Sequence, residues 1–207
     1  LLAVKHLAPP IEEKPSGGIL AMARVLPVAM IAALLAGAIE FSYMSLLPPL
    51  GVRAHLPEET VLRFVTAFVW GGVAMSLPLG WLADKMDRTR LFLWLCVFAI
   101  GLSAALAATL QHQPDLALAA TFALGGIACA FYPTGLAILG ERTELGDLAA
   151  ANAAFLVLYQ VGTLMAPPVA GAAMDAFGGH GLAGSMIIAL VVTIAAVLGH
   201  GRNASRR

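Results

Sequence analysis

Six long apolar runs dominate this sequence and restrict what it can fold into. They cover roughly residues 25–50, 61–83, 91–110, 116–139, 148–174 and 182–199. Each is long enough to cross a hydrocarbon layer of about 30 Å as a helix. The runs lack the alternation of a transmembrane β-barrel, and lipid offers no partner to unpaired backbone groups. The sequence therefore predicts an all-α integral membrane protein with six transmembrane helices.

The distribution of charge supports this prediction and excludes one class of partner. Only 12% of the residues are charged, whereas about a quarter are charged in soluble proteins. Twelve basic and 12 acidic residues cancel, so no net field attracts nucleic acid. We expect the lipid bilayer, and no nucleic acid, to be a partner of this chain.

Lysine and arginine lie mainly on one side of the predicted membrane. That side holds the N-terminus, the 84–90 and 140–147 connections and the C-terminus, with Lys5, Lys14, Arg24, Lys85, Arg88, Arg90, Arg142, Arg202, Arg206 and Arg207. The other side holds only Arg53 and Arg63. Because basic residues stay in the cytoplasm, the bias predicts an inner-membrane protein with both termini inside. Residues 1–23 are then a cytoplasmic linker, 24–200 a six-helix unit and 201–207 a cytoplasmic tail.

A short charged cluster separates the second and third apolar runs. It reads Gly80-Trp-Leu-Ala-Asp84-Lys85-Met-Asp87-Arg88-Thr-Arg90. The spacing Gly-x-x-x-Asp-Lys-x-x-Arg-x-Arg resembles the loop signature of the major facilitator superfamily, in which that loop joins the second and third helices of each six-helix half. Asp87 departs from the signature, which usually has Gly at this position.

The second half of the chain extends the resemblance. Tyr132-Pro133, Asn152 and its alanines, Tyr159-Gln160-Val-Gly162 and the stretch from Pro167 to Gly178 are similar to the fourth and fifth helices of a bacterial drug-efflux-like subgroup. The resemblance implies the C-terminal half of a twelve-helix fold, whose partner is an N-terminal half missing here or a second copy. The chain is accordingly expected to be a fragment or a natural half.

An internal repeat also predicts the architecture. Gly71, Gly80 and Asp84 recur 91 residues later as Gly162, Gly171 and Asp175. If the helices alternate in direction, Asp84 and Asp175 end their helices on opposite sides of the membrane. The pattern predicts an inverted three-plus-three repeat, as transporter halves are built. Chance agreement of three common residues is the alternative.

Glu40 is the only acidic residue deep inside an apolar run. A charged carboxylate at mid-membrane is costly, so it should face protein or water, and its protonated form is favoured there. Proton coupling is the functional hypothesis for Glu40. The alternative is a neutral or hydrogen-bonded packing carboxyl.

Polar and aromatic residues form a candidate substrate cavity. Asn152, Phe155, Tyr159 and Thr163 step by three and four residues along one helical face, with Gln160 beside it. The stripe either lines a cavity for apolar or cationic compounds or only holds helices together. By the 91-residue offset, Phe131 and Tyr132 occupy the positions that correspond to Glu40 and Phe41. The candidate cavity residues are Tyr43, Phe131, Tyr132, Asn152, Tyr159, Gln160 and Thr163.

The charged cluster is a candidate conformational latch. Its members are Gly80, Asp84, Lys85, Arg88 and Arg90, and the carboxylate of Asp84 is expected to pair with Arg88 or with the N-terminal end of a neighbouring helix.

The functional prediction is secondary active transport of small organic molecules, through proton-coupled efflux by alternating access. No catalytic motif, phosphate-binding glycine loop or Cys-x-x-Cys pair occurs in the sequence, so no enzyme, cofactor or metal site is predicted. The alternative is a membrane scaffold without transport activity, or a truncated and inactive transporter half.

Overall fold

Six helices make up the computed structural model, which describes residues 25–144 and 146–204. They are α1 (Pro27–Arg53), α2 (Glu58–Lys85), α3 (Arg88–Thr109), α4 (Pro114–Arg142), α5 (Leu148–Phe177) and α6 (His180–Ala204). No strand occurs among the described residues, and all six helices are long and apolar enough to span a membrane. The predicted all-α membrane fold is confirmed. The linker at 1–23 and residues 205–207 of the tail lie outside the described residues, and α6 continues to Ala204, past the predicted boundary at residue 200.

Local signals explain where the helices begin and end. Proline occupies the first turn of α1 and of α4, where its missing N–H costs no hydrogen bond. Asp87 caps α3, because its Oδ1 accepts a hydrogen bond of 2.8 Å from the backbone N–H of Arg90. The departure from the loop signature at Asp87 therefore provides a helix cap. After α5 the chain turns at Gly178, whose φ of 63° suits glycine.

The helices α1 and α4 form the centre of the bundle. Sixty-one per cent of the apolar window of each is buried, compared with 28% for α2 and 22% for α5. The third and sixth runs contain no strongly polar residue, a composition expected of helices that face lipid, but 39% of the apolar window of α3 and of α6 is buried. The most exposed helices are thus α2 and α5, and their outer faces carry large apolar side chains such as Trp70, Leu77 and Leu164.

Two tight helix crossings hold the bundle together, and glycine makes both possible. At the α1/α5 crossing, a Cβ on Gly37 would collide with the carbonyl oxygen of Tyr159, and one on Gly162 with that of Leu34. At the α2/α4 crossing, Gly71 lies against the carbonyl of Phe122 in the same way. Gly125 lies against that of Phe68. Small residues let membrane helices approach closely, which is their main source of packing energy in lipid.

Charged contacts lie at opposite ends of the bundle. At one end, Arg88 Nε lies 3.1 Å from Glu141 Oε1, and Arg142 donates to Thr89 Oγ1 at 3.3 Å. These contacts join the first turn of α3 to the end of α4. At the other end, Arg53 at the end of α1 forms an ion pair with Asp175 near the end of α5. Each end of the bundle therefore has its own set of charged contacts.

Candidate functional site

Glu40 lies at the midpoint of the 27-residue helix α1 and is partly buried. Its Oε2 accepts a hydrogen bond of 3.0 Å from the hydroxyl of Tyr159 on α5. The side chain therefore sits at the middle depth of the bundle, in contact with one polar partner. A carboxyl at this depth needs either such partners or water in order to carry a charge.

Two grooves open beside this carboxyl. The first, which we call the Glu40 groove, has a volume of about 530 Å³ and is lined by Glu40, Phe41, Met44, Phe68, Val69, Gly72, Val73, Ser76 and Cys129. The second has a volume of about 390 Å³ and is lined by Glu40, Cys129, Tyr132, Pro133, Leu156, Tyr159 and Gln160. Ligand sites commonly have volumes in this range and combine apolar walls with few polar groups. The shared carboxyl and thiol show that both grooves meet at Glu40.

An aromatic cluster forms the α4–α5 side of the second groove. The ring of Tyr132 lies edge-on to Tyr159, with centroids 5.0 Å apart, and edge-on to Phe155, with centroids 5.4 Å apart. Phe155 is fully buried behind them. Edge-to-face contacts of this kind fix ring orientation as well as adding packing energy. The hydroxyl of Tyr159 is thereby held towards Glu40.

The structure brings together four of the predicted cavity residues around Glu40. Tyr132, Tyr159 and Gln160 line the second groove, and the hydroxyl of Thr163 donates to the carbonyl oxygen of Tyr159 at 3.0 Å. Thr163 also lies against Gly37, since a Cβ on Gly37 would come within 2.8 Å of its Oγ1. Thr163 thus belongs to the α1/α5 crossing.

Three other predicted cavity residues lie elsewhere. Tyr43 is fully buried and donates a hydrogen bond of 2.7 Å to Ser103 on α3, so it faces the core. Phe131 is also fully buried, edge-on to Phe92 of α3 at a centroid distance of 5.5 Å. Asn152 is exposed in the first turns of α5 and lines neither groove. The 91-residue offset relates Phe131 to Glu40, but the crossing glycines Gly37 and Gly125 are 88 residues apart, and that spacing relates Glu40 to Ala128 instead.

Several groove residues were not identified from the sequence. Cys129 is half-buried between the two grooves, and α2 contributes Phe68, Val69 and Val73 to the wall of the Glu40 groove. Their apolar character gives no sequence signal for a cavity. The glycine spacing of Gly71 and Gly72 marks the close approach of α2 and α4 that places them there.

The predicted latch residues make contacts different from those expected. Arg88 pairs with Glu141 and not with Asp84, and it also donates to the carbonyl oxygen of Ala137 at 3.0 Å. Lys85 Nζ lies 3.9 Å above the ring of Trp81. Asp84 is exposed and takes part in no ion pair or hydrogen bond with any residue that the structure describes. Arg90 contributes its backbone N–H to the Asp87 cap.

Metal ligands do not cluster in the described part of the chain, where no group of three or more His, Cys, Asp and Glu side chains could hold an ion. The polar groups that line the second groove are one carboxyl, two tyrosines, one thiol and one amide. The carboxyl can bind and release a proton, and the aromatic rings can contact an apolar or cationic molecule.

Comparison with known proteins gives one family. Residues 29–204 match the family model described as Major Facilitator Superfamily. The "Probable actinorhodin transporter" of Streptomyces coelicolor is 30% identical over 152 residues, which are 72% of this chain and 26% of that protein. The "Uncharacterized MFS-type transporter YcaD" of Salmonella paratyphi B is 27% identical over 143 residues, or 69% of this chain and 36% of that protein.

A solved structure has the same arrangement of helices. The crystal structure of the POT family transporter PepTSo matches with a TM-score of 0.73 at 19% identity, covering 87% of this chain and 37% of that one. This likeness shows the fold alone. The chain spans between 26% and 37% of the length of these three proteins.

Proposed function

Because this chain belongs to the major facilitator superfamily, we propose that it forms one six-helix half of a secondary transporter that exports small organic molecules in exchange for protons. The observation that carries the proposal is the position of Glu40. Its carboxyl stands at the midpoint of a central helix and opens onto two largely apolar grooves. A packing carboxyl in a scaffold needs a partner but no groove.

The chemistry of Glu40 suits proton coupling. A carboxyl in apolar surroundings is stable when protonated and costly when charged, so it releases its proton only where water or a polar partner reaches it. A cationic or polar substrate in the groove stabilises the charged form and competes with the proton. Because the proton and the substrate compete for the same carboxyl, the movement of one across the membrane is coupled to the movement of the other.

The exposed faces of α2 and α5 support the presence of a second half. Apolar side chains on α2 are exposed by 61% at Trp70, 59% at Val73 and 83% at Leu77. On α5, Leu164 and Val169 are exposed by 73% and 62%. The Glu40 groove is lined by residues of α1, α2 and α4 and is open rather than enclosed. We therefore infer that another six-helix unit, in the same polypeptide or as a second copy, closes the groove.

The two glycine crossings support an inverted repeat. Phe68 and Gly71 of α2 correspond to Tyr159 and Gly162 of α5, each 91 residues later. Gly37 of α1 corresponds to Gly125 of α4, 88 residues later. Each glycine contacts the carbonyl three residues before its partner, in both crossings. An inverted three-plus-three repeat produces this reciprocity directly.

We propose that the latch works through the same symmetry. The ion pair of Arg53 with Asp175 joins α1 to α5 at one end of the bundle. At the other end, Asp84 lies 91 residues before Asp175, and Arg142 is the basic residue next to Glu141, the position that the 88-residue offset between α1 and α4 assigns to Arg53. In this structure Arg142 contacts Thr89 instead. Exchange of the conformations of the two repeats would open the first pair and form the second.

Removing either acid is expected to favour the conformational state in which the ion pair of that acid is absent. Asp84→Asn should favour the state seen here, and Asp175→Asn should favour the alternative state. Double electron–electron resonance measures the change as distances between spin labels placed on the two faces of the membrane. Exposed ion pairs contribute about 1 kcal/mol or less, so the populations should change by up to about fivefold. Membrane insertion should be unchanged in both variants. Identical distance distributions in Asp84→Asn and the unmodified protein would contradict the latch.

The experiment that tests the function is reconstitution into vesicles with a pH gradient. The chain together with a second six-helix half should move ethidium, an aromatic cation suited to the groove, against its gradient. The chain alone should not, because one half supplies only one wall of the path. Transport by the monomeric chain would contradict the half-transporter proposal, and no gradient-driven movement by the assembly would favour the scaffold alternative.

The orientation is checked in the same preparation. We propose that the protein lies in the inner membrane with the 84–90 connection inside, on the basis of the lysine and arginine bias. In intact cells, an impermeant thiol reagent should label a cysteine introduced at Gln113 and spare one at Thr89. Labelling at position 89 from outside would reverse the orientation.

A further inference from the structure

One hydrogen bond joins the candidate proton site to a neighbouring helix. The hydroxyl of Tyr159 on α5 donates to Oε2 of Glu40 on α1 at 3.0 Å. The donor lies on α5, and the far end of that helix carries Asp175 of the Arg53–Asp175 ion pair. The state of Glu40 is thus tied to the position of α5 relative to α1.

The geometry of this bond is set by the α1/α5 crossing. Gly37 lies three residues before Glu40, and Gly162 lies three residues after Tyr159, so each glycine shares a helical face with its polar neighbour. The carbonyl of Tyr159 lies directly on Gly37. Thr163 donates to that same carbonyl at 3.0 Å and fills the remaining space. The backbone of residue 159 therefore cannot move without changing the helix crossing.

The second crossing shows that packing does not require the bond. At the α2/α4 crossing the residue that corresponds to Tyr159 is Phe68, three residues before Gly71. The residue that corresponds to Glu40 is Ala128, three residues after Gly125. Phe68 and Ala128 are buried and apolar, and that crossing is equally close. The hydrogen bond between Tyr159 and Glu40 is therefore not needed for close helix packing, because the second crossing is equally close without one.

No charged side chain besides Glu40 lines either groove in the part of the chain that the structure describes. Facing Glu40, α4 contributes the titratable groups Tyr132 and Cys129, and α5 contributes Tyr159 and the neutral amide of Gln160. The α2 wall contributes Ser76 and apolar side chains. Tyr159 is the residue of this set that hydrogen-bonds to the carboxyl.

We propose that Tyr159 is a positioning residue that sets the pH at which Glu40 exchanges its proton, and that separation of α5 from α1 promotes proton uptake by breaking this bond. The inference rests on the proposed function, which makes Glu40 the coupling group. The donated hydrogen bond stabilises the carboxylate over the carboxylic acid. When α5 withdraws, the carboxylate is left in an apolar groove and takes up a proton. Helix movement and protonation are then one event.

The effect of Tyr159 on proton exchange can be measured directly by titrating the Glu40 carboxyl, and this measurement does not require transport. Infrared difference spectra of the 207-residue chain in lipid nanodiscs follow the carboxylic acid band, which Glu40→Gln identifies by its loss. In Tyr159→Phe, which keeps the ring against Tyr132, the midpoint should move to higher pH. A hydrogen bond to a charged group is worth about tenfold in this equilibrium, so the expected shift is about one pH unit.

Two further variants keep the test decisive. Tyr43→Phe, one helical turn from Glu40, removes a hydrogen bond to Ser103 and should leave the midpoint unchanged. Tyr159→Leu also lacks the donor and should shift the midpoint in the same direction if Tyr159→Phe does not fold. An unshifted midpoint in the folded Tyr159 variants overturns the inference. A shifted midpoint in a protein that transports nothing supports the role of Tyr159 and counts against the proposed transport function.

Discussion

Glu40→Gln is expected to abolish ethidium transport driven by a pH gradient, reducing it to the background of protein-free vesicles. Glutamine keeps the size of the side chain, and its amide oxygen can still accept the hydrogen bond that Tyr159 donates at 3.0 Å to the carboxyl. The substitution removes the ability of this side chain to bind and release a proton. The fold and the groove should therefore persist while the link between proton and substrate is lost.

The physical reason for so large an effect is that no other group in the grooves can replace Glu40. Lining residues on α2 are apolar except for Ser76, and the polar ones on α4 and α5 are tyrosines, a thiol and an amide, which are much weaker acids than a carboxyl. In the assembled transporter, downhill exchange of ethidium should survive, because the substrate still fits the groove. Uphill movement should not.

A second carboxyl provides the matched control. Glu58 lies in the first turn of α2, exposed and far from the grooves, so Glu58→Gln should keep the pH-driven rate. Both variants change the net charge equally. If Glu40→Gln concentrates ethidium at the unmodified rate with the same pH dependence, then Glu40 is a packing residue and the coupling group lies in the second half.

The fold was predictable because its strongest signal is one of length and composition. The helices α1 and α2 differ from the predicted runs by a few residues at each end, where charged residues such as Arg53 and Lys85 continue the helix beyond the apolar part. Hydropathy marks the part inside lipid, whereas the backbone hydrogen bonds extend the helix into the interface.

The candidate site was predictable in part. Glu40 and Tyr159 could be identified because polar groups within apolar runs are costly and therefore informative. Tyr43 could not be assigned correctly, since sequence spacing does not show whether a side chain faces the groove or Ser103 on α3. The offset of 91 residues assigned Phe131 to the level of Glu40, whereas the crossing glycines Gly37 and Gly125 are 88 residues apart.

Pairing of the charged residues was the least predictable feature. Arg88 is four residues from Asp84, which suggests a local pair, but the helix ends between them at Met86, and the guanidinium reaches Glu141 instead. Contacts between distant segments depend on helix crossings that are determined by small residues such as Gly71 and Gly125. Their identity is visible in the sequence, but their partners are not.

Gly162→Ala is expected to destabilise the bundle strongly, although it adds only one methyl group. The new Cβ would collide with the carbonyl oxygen of Leu34 and approach the backbone nitrogen of Ala38. Backbone atoms cannot rotate away as a side chain can, so α1 and α5 must separate. Overpacking of this kind costs about 1–3 kcal/mol, and in lipid no hydrophobic gain offsets the lost contacts.

Gly171, nine residues later on α5, provides the matched control. A Cβ there would meet only Leu46 Cδ2 at 4.0 Å, an ordinary contact. Because alanine favours helix over glycine by about 1 kcal/mol, Gly171→Ala should be neutral or slightly stabilising. The free energy of unfolding in mixed detergent micelles, titrated with sodium dodecyl sulfate, distinguishes the two variants.

Helix α2 offers a second, independent version of the same comparison. Gly71 lies against the carbonyl of Phe122, whereas a Cβ on Gly80, nine residues later, has no atom within 4 Å. Gly71→Ala should therefore lose stability as Gly162→Ala does, and Gly80→Ala should not. Equal unfolding free energies for Gly71→Ala and Gly80→Ala would show that the crossings tolerate wider spacing. That result would concern the α2/α4 crossing; equal values for Gly162→Ala and Gly171→Ala would show that glycine does not fix the close approach that holds Tyr159 against Glu40.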